Sequence, residues 1–234
     1  MDKILNQIKL EFLPNYLENI KNNVWKIPEN VPVKLPNGEP LERHIALKSL
    51  LEKPLKESKG LDTHYWIIRD WGGIKGFNKG PENNKILRNL PKMLESGKLP
   101  LNVFDRISSF SKVASFLEPK QYAIYDSRVI FSLNWLLFKH CDDEQKLFPQ
   151  PQGRNTQLAK YHLPTLFELS DKTIKFYEKE EAYHRYCGLM RDWSKKIFGQ
   201  EAKPYEMEML LFYIAPKLII EDIKKCVNIR INLF

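Results

Sequence analysis

Glycine is scarce in this 234-residue chain, with only 10 copies, and no G-x-G-x-x-G or G-x-x-x-x-G-K-[ST] stretch occurs. That argues against the glycine-rich loops that cradle nucleotide phosphates. Cysteine is scarcer still. Cys141, Cys187 and Cys226 are odd in number, widely spaced and free of any C-x-x-C pairing, so no disulfide framework is expected and a reducing, cytoplasmic setting is. The five histidines, His44, His64, His140, His162 and His184, form no H-x-x-x-H. His184-x-x-Cys187 supplies two ligand types, and two ligands do not make a metal site; no metal or other cofactor is expected. No uninterrupted apolar run approaches a membrane span. The opening MDKILNQIKLEFLPNY is amphipathic and charged and lacks the apolar core of a signal peptide. Alternating strand patterns, internal repeats and low-complexity tracts are absent as well.

What the chain has is apolar mass and positive charge. Hydrophobic residues make up 43% and aromatics 12%, enough for a sizeable core. Lys and Arg number 37 against 29 Asp and Glu, a net charge of +8. Such an excess suits a polyanion, because phosphates neutralised by lysine and arginine release counterions.

Helical periodicity recurs along the chain. Ile4, Ile8, Phe12 and Leu17 mark a helix over 3–22 that Pro14 interrupts. Pro28, Pro32, Pro36 and Pro40 space an extended connector. Ile45, Leu47, Leu50, Leu51 and Leu55 mark a second helix, broken at Pro54. A third starts at Asp62 and stops at Trp71-Gly72-Gly73. That turn can bring backbone amides to a phosphate, with Lys75 and Lys79 adding charge. Trp71 can stack on a base or pack in the core. A basic helix over 83–97 carries Lys85, Arg88 and Lys92, with Pro91 limiting its first part. Cys141 to Pro164 is the longest irregular stretch; its Gln152, Arg154, Asn155 and Gln157 can line a pocket or simply face solvent. Leu166–Phe198 and Tyr205–Leu218 read as further helices, the last bent at Pro216. The expected architecture is predominantly α, all-α in class, one compact chain over 1–234 with two helical lobes.

The centre of the sequence is Phe104 to Trp135, FDRISSFSKVASFLEPKQYAIYDSRVIFSLNW. An apolar helix over Val103–Leu117 is stopped by Glu118-Pro119, since proline lacks the amide a helix needs and disfavours helical geometry before it. After Asp126, the residues Val129, Ile130, Leu133, Leu136 and Leu137 fall on one helical face, which puts Asp126 at the N-cap. Lys112 lies fourteen positions earlier, beside Ser111 and Ala114. A lysine and a carboxylate brought into one cleft make a reactive pair, and a desolvated lysine has a lowered pKa and can act as an amine nucleophile. Taken alone, Asp126 reads first as a plain helix cap, as most such aspartates are.

This segment resembles the core of the helix-hairpin-helix DNA glycosylases, in particular the 8-oxoguanine-glycosylase-like branch. Lys112-Val113-Ala114 matches the lysine segment of that family, and Ile124-Tyr125-Asp126-Ser127-Arg128-Val129 matches its catalytic-aspartate segment. Ser108, Ser109, Phe110 and Ser111 stand where the family has hairpin glycines, and Arg128 stands where it has a histidine. The resemblance implies a two-lobed helical glycosylase fold with a diverged hairpin over 104–135. It implies Asp126 as the catalytic carboxylate and Lys112 as a Schiff-base candidate. Taken with the glycine turn and the irregular loop read above, it leaves Trp71, Arg128, Gln152, Arg154 and Asn155 as candidates around the base, and Ser109, Ser111, Lys75 and Lys79 on the DNA backbone. Three dispersed cysteines leave out the four-cysteine iron–sulfur cluster of some members. The expected partner is DNA, bound by a monomer with no membrane association. The expected activity is removal of a modified base to leave an abasic site, by a monofunctional enzyme. Candidates for that base are a bulky glucosylated hydroxymethylcytosine of phage DNA, in antiphage defence, and an oxidised purine in repair. A non-catalytic DNA-binding module and a helical protein-interaction domain are the alternatives.

Overall fold

Thirteen α-helices carry the described chain, and among the described residues there is no strand, only an isolated bridge between Leu147 and Phe176. The computed structural model describes residues 1–23, 26–141 and 145–228; residues 142–144 of the irregular stretch lie outside them. In order the helices are α1 (Asp2–Gln7), α2 (Leu13–Asn23), α3 (Pro40–Glu57), α4 (Asp62–Trp66), α5 (Pro81–Glu95), α6 (Leu101–Phe104), α7 (Ile107–Leu117), α8 (Ser127–His140), α9 (Thr156–Ala159), α10 (Leu163–Glu168), α11 (Lys179–Phe198), α12 (Pro204–Ile214) and α13 (Ile220–Cys226). Wider π-helical turns at Ile8–Phe12, Ile67–Trp71 and Ala215–Ile219 follow α1, α4 and α12.

The prolines act differently from the pattern expected of them. Pro40, Pro81 and Pro204 open α3, α5 and α12, where a missing amide costs nothing. Pro54 and Pro91 do not end their helices; each lies inside its last turns and removes one amide donor without stopping the helix. Pro14 follows one π turn and Pro216 lies inside another. The wider turn relieves the clash a proline ring makes with the preceding turn, and the helical path continues past each proline. The helix expected over Val103–Leu117 is instead two, α6 and α7, joined at Asp105-Arg106. Arg106 pins that joint to the start of α5 through Glu82 Oε1 at 2.7 Å and Asn83 Oδ1 at 2.6 Å.

A single cluster of buried apolar side chains links the N-terminal, central and C-terminal helices. Its middle is α7 and α8. Residues 109–117 and 129–137 are all buried. α7 packs against α3, α5 and the turn after α4, and α8 packs against α12, α1 and α10.

Between α7 and α8 the chain crosses this interior as an extended connector, Ala123–Tyr125, with no strand beside it. Its backbone polar groups are therefore met by side chains, as buried peptide groups must be. Tyr183 and Tyr186 donate their hydroxyls to the carbonyls of Ala123 (3.0 Å) and Ile124 (2.7 Å). Ser108 donates to the Tyr125 carbonyl at 3.3 Å. The Ile124 amide donates to Glu208 Oε2 at 3.3 Å, and the Tyr125 amide to Ser111 Oγ at 3.0 Å. The Tyr125 hydroxyl in turn donates to the Pro149 carbonyl at 2.7 Å. Asp126 is thus delivered to the head of α8 by a segment held by five side chains from three helices.

Candidate active site

Asp126 is the N-cap of α8. Its backbone is extended, and its Oδ1 accepts the Arg128 amide at 2.9 Å. The carboxylate is half-buried, and Oδ2 has no hydrogen-bond partner among the described residues. One oxygen therefore holds the helix end.

Lys112 lies in the middle of α7, buried to 7% exposure, with Nζ donating to the Ser108 carbonyl at 2.9 Å. Its stem runs across Gly72. A β-carbon at Gly72 would stand 2.5 Å from Lys112 Cδ and 2.8 Å from the Ile67 carbonyl. Gly72 is needed for that close approach. Gly73, at φ 69°, is the residue that turns the chain out of the helix. Burial pulls the Lys112 amine below its ordinary pKa, against the opposing pull of Asp126 and then Glu208.

Two further charged groups sit behind this pair. Lys48 on α3 is 5% exposed and Glu208 on α12 is 3% exposed. Lys48 Nζ donates to Ser115 Oγ at 3.0 Å, and Ser115 donates to the Lys112 carbonyl at 2.8 Å. The same ammonium lies 4.6 Å from the Phe116 ring and 5.6 Å from those of Trp71 and Tyr205. Burial brings Lys48 down to about 8, with Glu208 pulling the other way. Burial pushes Glu208 up to about 7, against Lys48 and the Ile124 amide, and Asp126 pushes it the same way as burial. A water-sized cavity of about 10 Å³ lies between Lys48, His44, Trp71, Tyr205, Glu208 and Ile124.

The 149–155 loop closes over the head of α8. Gln150 donates to the Ser127 carbonyl at 2.7 Å, and Gly153 lies so close to Ser127 that a β-carbon would collide with its hydroxyl. Gln152 and Arg154 are exposed on this lip, and Asn155 spends its side-chain oxygen capping α9 through the Gln157 and Leu158 amides. Arg128 is half-buried with its guanidinium 4.6 Å over Phe212.

The remaining expected residues lie elsewhere. Trp71 is in the core, edge-on to Phe116 at 4.9 Å, with Nε1 donating to His44 Nδ1 at 3.3 Å. Ser109 and Ser111 are buried, and the Ser111 hydroxyl is committed to Tyr125. Lys75 and Lys79 are exposed, paired with Asp70 at 2.7 Å and Asp62 at 2.6 Å. His184 bonds the Leu94 carbonyl at 2.9 Å and Cys187 is fully buried, its thiol pushed up to about 12 by burial. No group of three metal-ligating side chains occurs among the described residues, and none of the described helices is long and apolar enough to cross a membrane.

Lys48 and Glu208 had a signal in the sequence. Lys48 continues the buried row His44, Leu51, Leu55, and Glu208 shares a face with Leu211 and Ala215. A charge inside an apolar stripe marks a polar partner in the core, but not which one.

Comparison of the chain with protein-family models, curated proteins and solved structures returns no match.

Proposed function

We propose that the protein is a DNA N-glycosylase that takes a modified base out of the duplex and cleaves its N-glycosidic bond at Asp126. The observation that carries this reading is the cap geometry of Asp126: one carboxylate oxygen is locked by the Arg128 amide, and the other accepts no hydrogen bond among the described residues. A base inside the stack hides the glycosidic carbon, so the target must be flipped out. Departure of the base leaves a cationic, oxocarbenium-like sugar. A fixed carboxylate stabilises that charge and can orient the water that attacks it.

Lys112 serves in this scheme as a cation that positions the substrate. Its ammonium is tethered to the Ser108 carbonyl and its stem is wedged against Gly72, so reaching a sugar carbon requires breaking both contacts. Borohydride added during turnover should therefore trap no protein–DNA adduct, and product strands should stay intact until alkali is added. An adduct that vanishes in Lys112→Gln would instead make Lys112 the nucleophile.

DNA affinity should fall steeply with salt, given the charge of +8. Arg128 and Arg154 flank the head of α8, whereas Lys75 and Lys79 each have a carboxylate partner. Replacing both arginines by Ala should lower the slope of log affinity against log salt by about 2, roughly 0.9 per lost phosphate contact. The Lys75/Lys79 double replacement should change it less. The reverse order would move the DNA surface to the turn after α4.

A further inference from the structure

The mechanism above leaves two buried ionisable side chains unused, Lys48 and Glu208. They are not isolated from it. Glu208 holds the Ile124 amide, two residues before Asp126. Lys48 reaches the Lys112 backbone through Ser115, by hydrogen bonds of 3.0 and 2.8 Å. Both side chains line the same water-sized cavity. Three helices and the connector therefore bring two lysines and two carboxylates together, a set that is neutral when all four are ionised.

Resting on the glycosylase reading, we infer that Glu208 is a positioning residue of the Asp126 site. From α12 it fixes the connector that presents Asp126, and it supplies a second carboxylate whose charge state governs how the site responds to pH.

The hydrogen bond alone does not require an acid. A glutamine at 208 accepts the Ile124 amide equally well through its side-chain oxygen. What an acid adds is charge, placed where Asp126 and Lys112 both feel it. Glu208 faces Lys48 from α3, Lys112 from α7 and Asp126 from the head of α8. Three of its other titratable neighbours carry no charge near neutrality. Tyr16, Tyr186 and Cys187 are pushed upward, chiefly by burial, and stay neutral. His44, which lines the same cavity, accepts the Trp71 N–H at Nδ1. Glu208, pushed up to about 7 by burial, is thus the group of this set that gains its charge as pH rises through neutrality. Below that range the carboxyl is neutral and Lys48 and Lys112 outweigh Asp126. Once ionised, Glu208 offsets one of the two lysines, and the negative potential toward a sugar cation is stronger.

Carboxyl ¹³C NMR of the glutamate-labelled protein tests this without any activity. The Glu208 resonance is assigned by its loss in Glu208→Gln, or in Glu208→Asp if the amide variant does not fold. It should titrate near neutral pH, and Asp126→Asn should move its midpoint to lower pH by removing a like charge. Asparagine keeps the helix cap, so the fold is retained. A midpoint in the ordinary glutamate range, or one indifferent to Asp126→Asn, would overturn the inference. The second arm is the pH profile of base release. The wild type should gain activity through neutrality and Glu208→Gln should lose that limb; an unchanged limb in Glu208→Gln would also overturn it. A wild type that releases no base refutes the glycosylase reading alone, and the titration then decides the electrostatic link between Glu208 and Asp126.

Discussion

Asp126→Asn should lower base release at least about a hundredfold while leaving DNA affinity nearly unchanged, since losing one well-placed electrostatic group at a developing charge costs about 3 kcal/mol or more. The separation of the two effects follows from the double duty of the side chain. Asparagine is nearly isosteric and is a good N-cap, so the Arg128 amide keeps its acceptor and α8 keeps its start. The lost quantity is the negative charge on the open side of the carboxyl group, which matters only once the sugar becomes cationic. Asp126→Ala is the informative contrast. It removes the cap as well, and should cost about 1 kcal/mol of stability in addition to the activity. Single-turnover base release and DNA binding, measured on the same preparations, separate the roles. Full activity in Asp126→Asn would leave Asp126 as a helix cap and nothing more.

The largest effect on stability is expected far from this site, at Asp222. Besides its buried Ile220 and Ile223, α13 is fastened to the body by this carboxylate. Its Oδ2 accepts Trp135 Nε1 at 2.7 Å, Lys139 Nζ bridges both oxygens at 2.8 and 2.9 Å, and Gln7 reaches Oδ1 at 3.4 Å. Gln7 also bonds His140 at 2.5 Å, so α1, α8 and α13 share one network. Truncation leaves the indole donor and the ammonium without their acceptor in a poorly hydrated place. Removing one partner of a buried pair costs 3–5 kcal/mol, and Lys139, with 23% of its side chain exposed, can recover some hydration. The low end, about 3 kcal/mol, is therefore expected for Asp222→Ala. For a chain of this size that lowers Tm by roughly 6–12 °C. Asp222→Asn, which keeps an acceptor for Trp135, should lose less. A Tm within about 2 °C of wild type in Asp222→Ala would mean that α13 is held by its apolar face alone.

Local features were legible in the sequence and non-local ones were not, as α8 illustrates. Its cap is set by Asp126 and an amide two residues on, so composition and spacing were enough to place it. The all-helical class followed in the same way from periodicity. The charged set behind the cap depends on residues 84 and 67 positions apart, Ile124 with Glu208 and Lys48 with Ser115. No window along the chain contains both members of either pair. The connector hid its needs for the same reason. Tyr183, Tyr186 and Ser111 read as ordinary helix residues until their hydroxyls are seen on its backbone. Prolines misled because their effect depends on position within a helix and on whether a π turn absorbs the strain, as at Pro14 and Pro216. Trp71 admitted two readings from sequence, a base platform or a core residue, and burial against Phe116 places it in the core.

Direct detection of the leaving base tests the central claim most directly. Wild-type protein is incubated with duplex and single-stranded DNA carrying oxidised, alkylated, deaminated or glucosylated bases. Free base is measured by mass spectrometry and abasic sites by alkaline cleavage of the strand. The account predicts release of at least one class of modified base, in equal amount with alkali-sensitive sites and dependent on Asp126. DNA that is bound by the protein yet yields neither free base nor abasic sites across the whole panel would contradict it.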